Sequence, residues 1–294
     1  MLVNDTKSAF HAKHMRLATI ASVLVAIFLI IIKLVAYVLT GSVTLLSSLL
    51  DSFLDSLASI INLIAIRHAL EPADREHRFG HGKAEPIAGL AQAGFIIASS
   101  GFLMFESIKR LKNPQIIEHV DIGITVIMIS IVLTFLLVVY QRYVAKLTGS
   151  VAIHADSIHY LSDFLLNIFV IASLLLVSKF NIAWIDPLFA VCIAVYIVIS
   201  ARKIVIQSLD QLMDREMADE EREKIKEIVL EHNGVSSIQG LRTRLSGRDI
   251  IIQFNLYING NLTLSEAHQI SMEVKENLLK TFPDADITIH QDPV

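Results

Sequence analysis

The sequence predicts an α-helical membrane protein of six transmembrane helices, followed by a small cytoplasmic α/β domain. Three observations carry that expectation. Apolar residues make up 53% of the 294 and charged residues only 18%, with a mean hydropathy of +0.58, a balance foreign to water-soluble chains of this length. Six mostly apolar segments fall near 15–39, 44–68, 86–110, 120–143, 152–177 and 184–206, each long enough to cross about 30 Å of hydrocarbon as a helix. From Asp210 onward the periodicity changes and so does the charge, with 16 acidic and 9 basic residues against 13 and 16 before it. The expected domains are residues 1–209 in the membrane and 210–294 outside it.

The first segment follows Lys7, Lys13 and Arg16 and runs to about Thr40. That exceeds the apolar core of a cleaved signal, so it reads as a retained helix. Lys33 lies inside it, and its aliphatic stem is expected to lift the ammonium to the interface. The third segment, GLAQAGF through IIASSGF, has the small residues that let helices pack closely. An even number of crossings puts both termini on one side. Positive charge collects at the N-terminus, on the second connection (Arg67, Arg75, Arg78, Lys83), on the fourth (Arg142, Lys146) and after the last helix (Arg202, Lys203). These sides therefore face the cytoplasm, although Lys109, Arg110 and Lys112 near the third connection run against the majority. The lone cysteine, Cys192, sits in LFAVCIAVYIVI and excludes an intrachain disulfide or a thiolate metal cluster.

In the tail, MADEEREKIKEIVLEH reads as an amphipathic helix capped by Asp219, and GLRTRLSG alternates as a strand. Ser246-Gly247 turns into the strand IIIQFNLYI and Asn259-Gly260 turns out of it. SEAHQISMEVKENLLKTF repeats at helical spacing and ADITIH closes as a strand. The order α-β-β-α-β suggests a small ferredoxin-like sheet covered by helices.

LTGSVTLLSSLLDSFLD (39–55) and LTGSVAIHADSIHYLSD (147–163) superpose without a gap, placing His159 over Asp51 and Asp163 over Asp55. An ionised side chain at the bilayer centre costs about 2.5–3.5 kcal/mol. If lipid-facing, these four would cost on the order of 8–10 kcal/mol, comparable with a whole domain's stability. Spacing of i and i+4 puts each pair on one helix face, so the two faces together offer three carboxylates and an imidazole. Oxygen and nitrogen donors without sulfur suit a tetrahedral divalent ion of the Zn²⁺ type, with Cd²⁺, Fe²⁺ and Co²⁺ next. Hydrogen bonding between helices or proton relay accounts for any one of these residues as well, but less well for the aligned set. Asp156 shares the His159 face; its counterpart Ser48 is neutral, so a supporting role is expected. His154 reads as a surface residue near the extracellular end. On the second connection, Asp74, His77 and His81 fall within eight residues, with flexible glycines at Gly80 and Gly82, and offer donors for one metal.

DSFLD on the second helix, HYLSD on the fifth, GHGKAE between them and the α-β-β-α-β tail together resemble the cation diffusion facilitator family, especially its bacterial zinc-efflux members. The resemblance covers almost the whole chain. It implies a homodimeric metal/proton antiporter of the bacterial inner membrane, multi-pass with cytoplasmic termini. Cytoplasmic Zn²⁺ would be exchanged for external protons by alternating access around Asp51, Asp55, His159 and Asp163. It also implies a labile zinc site at Asp74, His77 and His81 that influences subunit packing or gating, metal binding between His268, His290 and Asp292 in the tail, and a charge interlock of Lys83 with Asp214 near the dimer's membrane surface. Where zinc-exporting relatives often carry two further histidines on the first and second strands, this chain has Gln239 and Asn255, which argues against a binuclear tail site. Metal binds deprotonated ligands, so loading expels protons, and His159 is the natural proton carrier, imidazole titrating near 6.5.

Competing readings are an intramembrane zinc hydrolase, a non-transporting metal sensor and a proton-coupled exporter of organic cations. Hydrolysis is disfavoured because HExxH is absent and no open metal position or general base remains. A sensor has no need of costly ligands in the membrane. No nucleic-acid motif and no phosphate loop is present, which argues against ATP-driven pumping.

Overall fold

The computed structural model describes residues 2–40, 43–112, 121–180, 185–247 and 249–294. The first, third and fifth connections, whose charge entered the topology expectation, fall mainly on residues 41–42, 113–120 and 181–184, outside that range. So do residues 120 and 184, where two of the expected spans begin. The chain separates into two compact units, His11–Ser208 and Leu209–Val294 with Met1–Phe10.

Among the described residues up to Leu212 there are six long helices: α1 Leu2–Thr40, α2 Val43–Ala69, α3 Ala84–Lys112, α4 Asp121–Thr148, α5 Val151–Phe180 and α6 Ile185–Leu212. α1 starts well before residue 15 because no glycine or proline interrupts the chain until Gly41. α2 stops just before Glu71, whose helical conformation Pro72 disfavours. Between α4 and α5 the break is built by Gly149 at φ 71°, whose amide bonds Ala145 O at 2.9 Å, and by Ser150, whose Oγ accepts from the Ile153 amide at 3.2 Å. These are a left-handed C-terminal glycine and a serine N-cap back to back. Among the described residues, α1, α2, α3, α4 and α6 are long and apolar enough to cross a membrane. α5, at 30 residues, extends about 45 Å.

Polarity within this unit is inverted relative to a soluble protein. Ser22, Ser52, Ser59, Asn62, Gln92, Gln141 and Asp156 are buried, whereas Leu24, Val38, Phe102 and Leu136 are at least 60% exposed, as expected for helices whose outer solvent is lipid. α5 is the hub. One of its faces packs Val151, Ala155 and Ile158 with Ala93 and Ile96 of α3 and Ile193, Ile197 and Ile204 of α6. Another packs Ala152 and Ile153 with Met15 of α1, Ile66 of α2 and Val144 of α4. The small residues of α3 serve only in part: a Cβ on Gly89 would come within 2.7 Å of Ser208 Oγ and 3.1 Å of Val151, while Gly94 and Gly101 face open space.

The C-terminal unit contains α7 Asp219–Leu230, β1 Val235–Ser246, β2 Asp249–Ile258, α8 Leu264–Thr281 and β3 Ala285–Pro293. The sheet order is β1-β2-β3, with β1 antiparallel and β3 parallel to β2. A parallel neighbour needs a crossover, which α8 supplies. Ile252, Phe254, Leu256 and Ile258 alternate along β2 into a core completed by Ile225 and Val229 of α7, Val274 and Leu278 of α8, and Ile287 of β3. Thr263 and Glu266 close a reciprocal capping box at the start of α8. Asp219 is not the cap of α7. Ala218 holds that position without a side-chain bond, and the Asp219 carboxylate, already inside the helix, pairs with Arg222 at 3.2 Å.

Candidate metal centres

α2 and α5 meet where their charged residues lie. His159 Nε2 is 3.0 Å from Asp55 Oδ1 and 3.9 Å from Asp163 Oδ2, and one donor atom from each of the three residues lies within 4.8 Å of the others. Tetrahedral zinc with bonds of about 2.0–2.1 Å holds its donors roughly 3.3 Å apart, so a small contraction closes this triad on an ion. His159 is 6% exposed. Its Nε2 lacks an aligned hydrogen bond despite the short separation from Asp55, leaving a buried nitrogen aimed at carboxylates. That is an expensive arrangement unless a cation occupies it.

Asp55 and Asp163 of the triad line a cavity of about 140 Å³ among α1, α2, α4 and α5. Its lining includes Lys33, Asp51, Asp55, Ser130, Thr134 and Asp163. Asp51 lines the cavity one turn before Asp55 but does not join the close group. It feels the charge of Lys33, whose ammonium donates to Ser48 O at 3.2 Å and Ser52 Oγ at 2.5 Å. Lys33 is therefore not lifted to the interface. It turns inward because two acceptors on α2 and three aspartates surround it, a compensation that lipid cannot offer. Sequence reasoning missed this role, though a lysine in the middle of an apolar run was the available signal.

Asp156 supports the site without entering it. It is fully buried, and its oxygens accept from Gln92 Nε2 of α3 at 3.3 Å and Gln141 Nε2 of α4 at 2.6 Å. Tyr160, next to His159, donates to Ser22 O of α1 at 3.2 Å and accepts from Ser59 Oγ of α2 at 2.8 Å. These bonds fix the rotation of α5 and thereby where His159 points. His154, expected on the surface near the extracellular end, is half-buried in the first turn of α5, beside the fourth connection.

On the second connection, Asp74, His77 and His81 converge. His81 Nε2 is 3.2 Å from His77 Nδ1 and 3.5 Å from Asp74 Oδ2, and His77 Nδ1 is 3.5 Å from Asp74 Oδ1, all close to the edge of a zinc tetrahedron. The Asp74 carboxylate also accepts the amides of His77 and Glu76, at 2.5 and 2.9 Å, which folds the turn. The His77 amide foremost holds its acidity below the usual carboxylate range, so it is an anion at neutral pH. Gly80, at φ 77°, brings the chain back so that His81 reaches His77.

The tail residues do not converge within one chain. His290 Nε2 and Asp292 Oδ1 are 3.2 Å apart, but no close donor group including His268 forms among the described residues. Strand alternation gives the reason: Gln291 Nε2 donates to Ser271 Oγ of α8 at 2.8 Å, so its neighbours His290 and Asp292 project from the opposite face, away from the helix that carries His268. Gln239, Asn255 and His290 stand in one row across the sheet. Asp214, at φ 56°, accepts from Arg244 at 3.0 Å in its own unit, while Lys83 belongs to the other.

Two family models match the chain: the cation efflux transmembrane domain over residues 19–213 and the cation efflux protein cytoplasmic domain over residues 217–294. The chain is similar to the cation-efflux pump FieF of Shewanella oneidensis, 47% identical over 279 residues that cover 95% of this chain and 94% of that protein. It is also similar to FieF of Pectobacterium atrosepticum, 43% identical over 284 residues covering 97% and 94%.

Proposed function

The chain belongs to the cation efflux family, and we propose that it exports a divalent metal ion, Zn²⁺ first, in exchange for protons at a site formed by Asp51, Asp55, His159 and Asp163. It is a cation-efflux transporter of the membrane, with a cytoplasmic C-terminal domain. The observation that carries the reading is the triad of Asp55, His159 and Asp163 around a buried nitrogen without an aligned partner. Two carboxylates and an imidazole attract a borderline divalent cation and, equally, protons. Each ligand must be free of its proton to hold metal, so one cavity serves both cargoes and never both at once. That exclusivity is what exchange requires. Lys33 offsets the negative charge of the metal-free cavity, so the return step need not carry three bare carboxylates through lipid. Asp51, at the cavity wall, is the fourth donor once α2 and α5 close on the ion.

The family's homodimer, the bacterial inner membrane, the loop zinc at Asp74, His77 and His81, and the Lys83–Asp214 interlock belong to the same proposal. Division of the chain into 1–209 and 210–294 belongs to it as well. In the tail, His290 and Asp292 are the remaining donors, and a complete site there needs ligands from beyond the single chain.

Reconstitution tests the transport reading. Vesicles loaded at low internal pH should accumulate ⁶⁵Zn²⁺ through the native protein, and Asp55→Ala or His159→Ala should reduce uptake to background. Uptake that persists in both variants, or that ignores the imposed pH difference, sinks the proposal.

A further inference from the structure

We propose that His68, Glu71 and His81 form a second divalent-cation position on the α2–α3 connection, sharing His81 with the Asp74–His77–His81 position. His68 lies in the last turn of α2, Glu71 just beyond it, and His81 three residues before α3. His68 Nδ1 is 2.8 Å from Glu71 Oε2, and one donor atom from each of the three residues lies within 4.8 Å of the others. The His81 ring centroid is 4.4 Å from that of His68 and 4.6 Å from that of His77. Its Nε2 serves the first position, while its Nδ1 is buried and has no hydrogen-bond partner in a residue only 8% exposed. His81 thus brings a buried ring nitrogen without a partner to a group that already holds an imidazole–carboxylate pair, and because such an atom is costly to bury unpaired, the three residues form a donor set for a cation.

Two imidazoles and one carboxylate, without sulfur, suit Zn²⁺ and its neighbours rather than Ca²⁺ or Cu⁺. The His68 and Glu71 side chains are about half exposed, at 51% and 57%, so an ion enters from solvent and water completes its coordination. The second position also ties metal to α2, the helix that carries Asp51 and Asp55. An ion there pins the end of that helix to the start of α3, which makes the packing of α2 responsive to cytoplasmic metal.

This position rests on the loop reading only through His81, and its test counts ions rather than transport. Full-length protein carrying Asp55→Ala and His159→Ala removes the transport site from the count, and His77→Ala disables the first loop position. Equilibrium dialysis against buffered free Zn²⁺ should then still find loop-bound zinc. Adding His68→Ala, or separately Glu71→Gln, should lower the bound zinc by one ion per chain or weaken it at least tenfold. X-ray absorption of the His77→Ala protein should show two imidazole ligands on that ion. If His77→Ala alone empties the loop, or if neither His68→Ala nor Glu71→Gln changes the bound zinc, the second position does not exist. His68 and Glu71 are exposed, so unchanged thermal melting is expected and separates lost ligation from lost fold.

Discussion

His159 meets two carboxylates from different helices at 3.0 and 3.9 Å, and this contact decides most of the chemistry. Even partners that merely orient metal ligands cost about 10–100-fold in affinity when removed, so Asp163→Ala should weaken zinc binding at the transport cavity by at least that factor. Isothermal titration in detergent measures it, and a shift under threefold would contradict the ligand assignment. Lys33 acts in the other direction. Its ammonium borders the same cavity as the aspartates and repels an incoming dication. Lys33→Gln is therefore expected to tighten zinc binding while slowing turnover, and a variant that binds more weakly would show that Lys33 works only as a prop for α2. Asp74 sets a pH limit on the loop. Its ionisation lies below the ordinary carboxylate value because the His77 and Glu76 amides stabilise the anion. The stability it lends the turn is thus complete above about pH 4 and lost as pH falls through the lower folded value. Amide exchange at His77 should remain slow at pH 5 in the native loop and be fast in Asp74→Ala.

At the scale of elements, α5 works because its orientation is overdetermined. Asp156 binds donors on α3 and α4, and Tyr160 binds α1 and α2. Removing Asp156 leaves two buried glutamine amides without their acceptor, each costing about 1–3 kcal/mol. Asp156→Ala should lower the melting temperature in detergent and also reduce transport although it touches no cargo, and an unchanged melt would refute this. In the C-terminal unit the sharpest element is α8. Loss of an N-cap costs about 1 kcal/mol, so Thr263→Ala should speed amide exchange in the first turn of α8 roughly fivefold. Glu266 shares the box. Thr263 donors hold its acidity below the usual glutamate value, so its contribution is present above the unfolded value near 4.5 and fades as pH drops through the folded one. The difference between native and Glu266→Gln protein should shrink correspondingly below pH 4.

At the scale of the whole molecule, one chain leaves the tail donors incomplete, and assembly from two copies is the expected way to complete them. Light scattering of the detergent-solubilised protein should return a protein mass twice 32.7 kDa, and a monomer that still transports would remove the dimer from the mechanism. The helices, their order and the α-β-β-α-β tail were legible beforehand, because hydropathy and period are local properties and the duplicated Leu-Thr-Gly-Ser-Val segment marks two related helices. Their ends were less legible, since α1 extends through polar residues that composition assigns to solvent.

What the sequence determined by itself is which residues are too costly to face lipid: Asp51, Asp55, His159 and Asp163 carry charge or hydrogen-bonding demand at positions where only the interior of a bundle accepts them. Only the tertiary structure decided which of these bring donor atoms within 4.8 Å of one another, that Lys33 turns toward α2 rather than toward the interface, that His68 and Glu71 join His81, and that His268 stands apart from His290 and Asp292. The physical reason is that transfer energies act on each residue separately, whereas coordination depends on helix rotation and strand facing, which are set by contacts such as Asp156 with Gln141 and Gln291 with Ser271 between residues far apart in the chain.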